Sequence, residues 1–316
     1  MMQTGTMSPD TTRFAALTDP YRTELLVHCY RMLGSVHEAE DLVQETFLRA
    51  WRSFGAFEGR SSVRTYLYRI ATNACLTALE QRSRRIMPSA HGFEPGEPSW
   101  LEPIPDALLA RASDPAAVVD TRASVRLAFI AALQHLPPIR RAVLILRDVL
   151  SLSAAEAAEV LDTTTAAVNS ALPRARAQIA QVAPIADKVV EPAEPRRRAL
   201  LDHYVAAFET ADIGALTRLM RADIALEMPP QAEWFRGRSA VAEFFATRVL
   251  RKPGRFSMVP TAANGQPAVM AYLHEDDGTH RPHAVHVLTM DTTGLAHIAV
   301  FFESAVHTLF TSARLP

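Results

Sequence analysis

The stretch "EAEDLVQETFLRAWRSFGAFEGRSSVRTYLYRIATNACLTALEQRSRR", Glu38 to Arg85, changes character halfway along. In its first half Ala39, Leu42, Val43, Phe47, Ala50 and Trp51 recur every three or four residues and form one apolar helical stripe. The opposite face carries Glu38, Glu40, Asp41, Gln44 and Glu45, which suits either solvent or a basic protein partner. The second half reverses the sign. Arg60, Arg64, Arg69, Arg82, Arg84 and Arg85 stand against Glu80 alone, with Phe57, Tyr66 and Tyr68 interleaved near the start. Positive charge tracks a phosphate backbone, and aromatic rings stack on or wedge between unpaired bases. Tyr68 reads equally well as a core residue.

Around this stretch the chain of 316 residues is long enough for two or three cores. Its net charge of −1 excludes a protein that grips DNA by bulk electrostatics, so charge has to be read locally. No apolar run approaches the ~20 residues that span a bilayer. The first residues lack a basic-then-apolar signal pattern, and the expectation is a cytoplasmic protein. Cys29 and Cys75 are the only cysteines, spaced for neither a disulfide framework nor a metal site. No metal, cofactor or membrane is expected.

Helical patterning covers residues 13–85. Six prolines from Pro88 to Pro115 break residues 86–119 into a linker, and a second helical block covers 120–182. A short linker, 183–195, ends in Pro192 and Pro195. Residues 196–316 read as two helices followed by strands, joined by turns such as Asn264-Gly265 and Asp277-Gly278, which makes an α+β domain.

The second block has the layout of a helix-turn-helix. Ser153 and Glu156 form a capping box, Asp162 sits at the turn, and Thr163 or Thr164 caps the second helix. Val168 and Leu172 face inward, leaving Ala167, Asn169, Ser170 and Ala171 toward base edges. Arg174 and Arg176 suit phosphate contact or a solvated face. Pro173 lies beyond the base-reading turns, so it is expected to bend the helix without ending it.

Together these residues carry a resemblance. Glu38–Arg85 is similar to region 2 of bacterial extracytoplasmic-function sigma factors, and the helix-turn-helix resembles their region 4. The resemblance implies binding to core RNA polymerase, at its β′ coiled coil through Asp41, Leu42, Gln44, Glu45, Phe47 and Leu48, and at its β flap. It implies capture of the melted minus-ten element of promoter DNA by Asn73, with Phe57, Arg60, Arg64, Arg69 and Ile70 around it. For the minus-thirty-five element it implies Thr165, Asn169, Ser170, Arg174 and Arg176. Where many relatives carry "FRGDSS" this chain has "FEGRSS", with charges reversed at Glu58 and Arg60.

Residues 196–312, above all "WFRGRSAVAEFF" (Trp234–Phe245), resemble a SnoaL-like cone: helices wrapped by a curved antiparallel sheet. With "WLEPIPD" (Trp100–Asp106) in the linker, the whole resembles sigma factors with a fused SnoaL-like domain. That implies two all-α sigma domains followed by an α+β domain that contacts them and takes the place of a separate anti-sigma protein. Glu227, Asp291, His283, His286 and His297 are the groups with which such a cone could act as an enzyme. His286, between apolar neighbours, reads as a satisfied core histidine. His283, three residues away, belongs on the opposite strand face, which disfavours a shared site. No catalytic residue is assigned. The rival readings are a ligand-responsive regulator with a catalytic cyclase or isomerase domain, and a simple helix-turn-helix repressor.

Overall fold

The computed structural model describes residues 9–56, 61–80, 85–87, 99–110, 124–182, 193–231, 233–275 and 277–312. Among them no helix is long and apolar enough to cross a membrane. They form two compact units.

The first unit comprises the described residues of Met1–Arg84, Leu109–Val119 and Ala132–Val182. Its front part is α1 (Pro9–Thr18), α2 (Arg22–Leu33), α3 (Val36–Ser53) and α4 (Val63–Glu80). Four of the six residues of the stripe expected on α3 face inward: Ala39, Val43, Phe47 and Ala50 are buried with Leu25, Tyr30, Leu67 and Tyr68, whereas Leu42 is half-buried and Trp51, at the stripe's edge, is 39% exposed. Helix α2 ends where Gly34, at φ 73°, takes the left-handed conformation that a Cβ disfavours. Ser35 then caps α3 by accepting from the Glu38 N–H at 3.2 Å.

The rear part holds α7 (Pro138–Leu144), α8 (Ala154–Val160) and α9 (Thr165–Val182); the short α5 (Asp106–Leu109) and α6 (Leu127–Gln134) that precede them in the chain fall mostly in the second unit. The Ser153–Glu156 capping box forms as expected. Asp162 adopts φ 49° at the turn, and Thr164 caps α9 by accepting from the Ala167 N–H at 3.1 Å. Helix α9 continues unbroken through Pro173. Front and rear are stitched by Arg141 on α7, which is only 3% exposed. Its Nη1 donates to the Met32 carbonyl at the end of α2 and to Gln134 Oε1, and its Nη2 donates to the Gln134 and Leu136 carbonyls. A helix C-terminus presents unpaired carbonyls and negative potential, so a buried guanidinium is stabilised there.

The second unit comprises the described residues of Arg85–Leu108, Asp120–Ala131 and Ala183–Pro316. Its body is α10 (Glu194–Glu209), α11 (Ile213–Leu219) and α12 (Arg238–Phe244) against a six-stranded sheet. The strands are β3 (Met220–Glu227), β4 (Trp234–Arg236), β5 (Phe256–Ala263), β6 (Gln266–His274), β7 (His280–Asp291) and β8 (Gly294–Phe301), in the order β4-β3-β8-β7-β6-β5. Neighbours are antiparallel except β3 and β8. Tyr204, Phe208, Phe245, Met258, Leu288 and Ile298 lie in the core between helices and sheet. Alternation puts Val285, Val287, Ala299 and Phe301 on the other face, yet these are buried too. The final helix, α13 (Ser304–Ser312), packs on β7 there.

Domain organisation departs from the linear reading in one respect. The described part of the 86–119 linker is not a free spacer, and the second unit does not begin at residue 196. Residues 85–86 and 99–100 pair as the two short strands β1 (Arg85–Ile86) and β2 (Ser99–Trp100), and Pro105 bridges to Ala263 at the end of β5. Leu101, Ile104, Val125 and Leu127 are buried within this unit. The prolines that signalled irregular backbone did not exclude docking, because Leu101 and Ile104 between them supply apolar surface to bury.

Candidate nucleic-acid interface

On α3 the acidic face splits by exposure. Asp41, Gln44 and Leu48 are exposed, and Glu45 is half-buried beside Arg49, which donates to it at 2.7 Å. Leu48 (51% exposed) and Trp51 (39%) extend the same face, so large apolar surface stands among acids, although Trp51 also packs edge-on against the Phe14 ring at 5.2 Å. Leu42 is half-buried and Phe47 is in the core, with the Arg22 guanidinium 4.4 Å over its ring. Phe47 therefore supports the face from behind.

On α4, Arg69 and Asn73 are exposed and Ile70 is half-buried, the i, i+1 and i+4 positions of one helical face. An exposed primary amide there offers both donors and an acceptor to a base edge. Arg64, expected beside them, is occupied elsewhere. Its guanidinium donates to Glu24 Oε1 (2.7 Å from Nε) and lies over the Tyr68 ring, while the Tyr68 hydroxyl donates to the same Glu24 oxygen at 2.9 Å. Tyr68 is a core residue, and burial pushes its hydroxyl pKa up. Glu24, which organises this cluster, gives no signal in the sequence because its partners lie 40 and 44 residues away. Phe57 and Arg60 lie outside the described residues.

On α9, Thr165, Asn169, Ser170 and Arg174 are exposed, while Val168 and Leu172 are buried as expected. Arg176 is exposed but held in a two-pronged ion pair with Asp148, at 2.8 Å (Nε) and 2.7 Å (Nη2). Of the two arginines expected near phosphates, Arg174 is the one with no such engagement among the described residues.

The second unit encloses a cavity of about 50 Å³ lined by Phe208, Phe245, Phe256 and Phe302, with His283 and His286 among the lining residues. Here the strand-parity expectation for the two histidines fails. Ala271 and Tyr272 pair with Ala284 and Pro282, so His283 is the extra residue of a bulge. A bulge adds one residue to one strand and resets its face alternation, bringing both rings to the same cavity. His286 is satisfied, as expected: the Tyr204 hydroxyl lies 2.7 Å from its Nδ1, and burial lowers its pKa to about 3. Neither carboxylate considered for catalysis lines the cavity. Glu227 pairs with His297 at 3.1 Å, and Asp291 pairs with Arg221. Among the described residues no group of acids, histidines and cysteines could hold a metal.

The β5–β6 turn makes a polar clasp. Asn264, at φ 56°, accepts from the Ile104 N–H at 3.0 Å and donates to the Val125 carbonyl at 2.6 Å. Its N–H donates to the Ile104 carbonyl at 2.9 Å, and the Gly265 N–H donates to Asp106 at 2.8 Å. Gln266 accepts from the Leu127 N–H at 3.1 Å and donates to Thr289 at 2.9 Å. Asn264-Gly265 is legible as a turn, but its grip on residues some 140 to 160 positions earlier is not.

Comparison with known proteins identifies the domains that carry these surfaces. Residues 17–85 match the family model for sigma-70 region 2, residues 126–179 that for sigma-70 region 4, and residues 201–296 that for a SnoaL-like domain. The chain is 47% identical over 315 residues to the ECF RNA polymerase sigma factor SigG of Mycobacterium tuberculosis, covering 96% of this chain and 84% of that protein. It is 30% identical to SigJ of the same organism, covering 74% of this chain and 73% of that one. The crystal structure of SigJ has the same fold, with a TM-score of 0.62 at 23% identity, covering 95% of this chain and 98% of that one.

Proposed function

Because the chain belongs to the extracytoplasmic-function sigma factors, which bind RNA polymerase and recognise promoters, we propose how its own residues divide that work. The face of α3 formed by the exposed Asp41, Gln44 and Leu48 with the half-buried Glu45 meets the polymerase β′ coiled coil. Region 4 meets the β flap. Asn73, with Arg69 and Ile70, takes the unpaired base of the minus-ten element, where a planar amide hydrogen-bonds a base edge. Asn169 and Ser170 read the minus-thirty-five duplex, with Arg174 on phosphate. Arg64 and Arg176 drop out of the DNA set because Glu24 and Asp148 hold them.

The observation that carries this division is exposure: the asparagines stand clear on α4 and α9 beside Arg69 and Arg174, while Arg64 and Arg176 are committed to ion pairs. Region 2 and region 4 share one compact unit, with Arg141 as the clasp. Minus-ten and minus-thirty-five elements lie ~25 base pairs apart, or about 85 Å at 3.4 Å per step. A unit in which α4 touches α8 cannot present both readers at that separation. This arrangement is a closed form of a cytoplasmic factor, and polymerase binding opens it.

The SnoaL-like domain acts as a built-in regulator and not as a cyclase or isomerase. A 50 Å³ cavity without a carboxylate supports that reading, since ~300 Å³ is the lower end for small-molecule sites. The clasp of Asn264 on Ile104 and Val125 is the regulatory contact. The test is run-off transcription with purified core polymerase. Asp41→Arg/Glu45→Arg should abolish polymerase pull-down, and Asn73→Ala should abolish open complexes while leaving pull-down intact. Unchanged pull-down by the double variant refutes the α3 assignment.

A further inference from the structure

Beside the clasp lies a second concavity, larger than the inner cavity and chemically unlike it. It is a cleft of about 370 Å³ where the first turns of α10 face β5 and the β5–β6 turn. Its walls include Arg197, Arg198, Asp106, Glu194 and Thr261, with Leu201 and Pro267 supplying apolar surface. That volume falls in the range of sites for small molecules, ~300–1,000 Å³.

The charges are arranged unevenly. Arg197 is half-buried and paired with Glu194, and Asp106 already accepts from the Gly265 N–H. Arg198 is exposed and has no ion pair among the described residues. Arg126 stands close enough to Arg197 for the like charge, added to its burial, to lower its own pKa. Arg126 adds positive potential but does not line the cleft; the two guanidinium groups that do, Arg197 and Arg198, are stabilised in a partly closed site by an anion. The two carboxylates in the wall set a limit on that anion. A polyanion such as nucleic acid meets repulsion from Asp106 and Glu194, whereas hydroxyl groups can donate to them.

We infer that this cleft is a binding site for a small phosphate ester bearing hydroxyls, the chemistry of a sugar phosphate, with its phosphate on Arg197 and Arg198 and its hydroxyls toward Asp106, Glu194 and Thr261. The site is distinct from the inner cavity, and its walls share Asp106, Gly265 and Gln266 with the clasp. An occupant therefore touches the residues that hold the linker. The inference concerns binding and stands whether or not the clasp regulates transcription.

The test is titration calorimetry of the full chain with ribose 5-phosphate at fixed ionic strength, with ribose and inorganic phosphate as separate arms. Ribose 5-phosphate should bind and ribose should not, and inorganic phosphate should bind at least ~tenfold more weakly than the ester. Arg198→Gln, an exposed position where folding is not at stake, should weaken ribose 5-phosphate about tenfold, while Arg236→Gln on the distant edge strand should leave it unchanged. The inference is overturned if ribose 5-phosphate gives no heat, or if the two variants behave alike. Inorganic phosphate binding as tightly as the ester would also overturn it, since the hydroxyl contacts would then contribute nothing.

Discussion

Replacing Arg141 with leucine tests the clasp between region 2 and region 4. The wild-type guanidinium serves the carbonyls of Met32, Gln134 and Leu136 and the Gln134 side chain, in a site with almost no water. Gln134 in turn donates to the neighbouring Arg31 carbonyl at 3.5 Å, so the pair caps two carbonyls of the α2 end. Leucine fills similar volume but donates nothing. Orphaning two or three buried acceptors costs about 1–3 kcal/mol each. Several kcal/mol are recovered because a guanidinium no longer has to be desolvated. The net loss should be about 3 kcal/mol, or roughly 6–12 °C in Tm for a unit of this size. Far-UV circular dichroism of the full chain follows it directly, since the first unit is helical. Arg141→Lys should recover only part of the loss, because an ammonium cannot span donors set in a planar fork. A leucine variant melting within ~2 °C of wild type would refute the reasoning, since that is below the shift from losing even one buried acceptor.

Two further perturbations address other parts of the molecule. Asn264→Leu removes two side-chain hydrogen bonds to Ile104 and Val125 and places a branched side chain at φ 56°, at a cost of about 3 kcal/mol in urea unfolding of the second unit. Asn264→Gly, which tolerates that φ, should cost about 2 kcal/mol, and equal losses for the two variants would contradict the backbone part of the argument. Acid should weaken both units through buried histidines. Burial lowers the pKa of His28, with Arg31 and Arg64 adding to it, and burial lowers that of His286, each from 6.5 to about 3. The unfolded chain then takes up protons below pH 6.5 that the fold refuses. Stability is complete above pH 6.5 and falls by about 1.4 kcal/mol per pH unit per histidine as pH drops toward 3. Denaturant midpoints at about pH 7 and pH 5 measure this, and His286→Gln should flatten the loss in the second unit by about 2 kcal/mol. An unaltered slope would show that His286 does not titrate on unfolding.

What the sequence made legible is what repeats at short range. The α3 stripe, the Ser153–Glu156 box, the turn at Asp162 and the continuity of α9 through Pro173 all depend on residues within a few positions of one another. What it concealed depends on distant partners. Arg64 carries the same positive charge as Arg69, and nothing local in the sequence shows that Glu24 across the bundle engages it in an ion pair. Strand parity counted across a bulge puts the two histidines of the inner cavity on opposite faces, and a bulge is visible only when a partner strand supplies the count. The linker's prolines describe its backbone but not what Leu101 and Ile104 rest against.

That docked linker bears on how such a fusion can be taken apart. The segment from Ser99 to Leu108 precedes region 4 in the chain but belongs to the unit built by the C-terminal third. A cut after Val182 would strip away its bed and leave Trp100, Leu101 and Ile104, now 8% exposed or less, as a greasy flap on an otherwise intact sigma factor. Insolubility of that fragment would then mimic a loss of function. The clean scission needs two edits, one at the end of region 4 and one inside the linker.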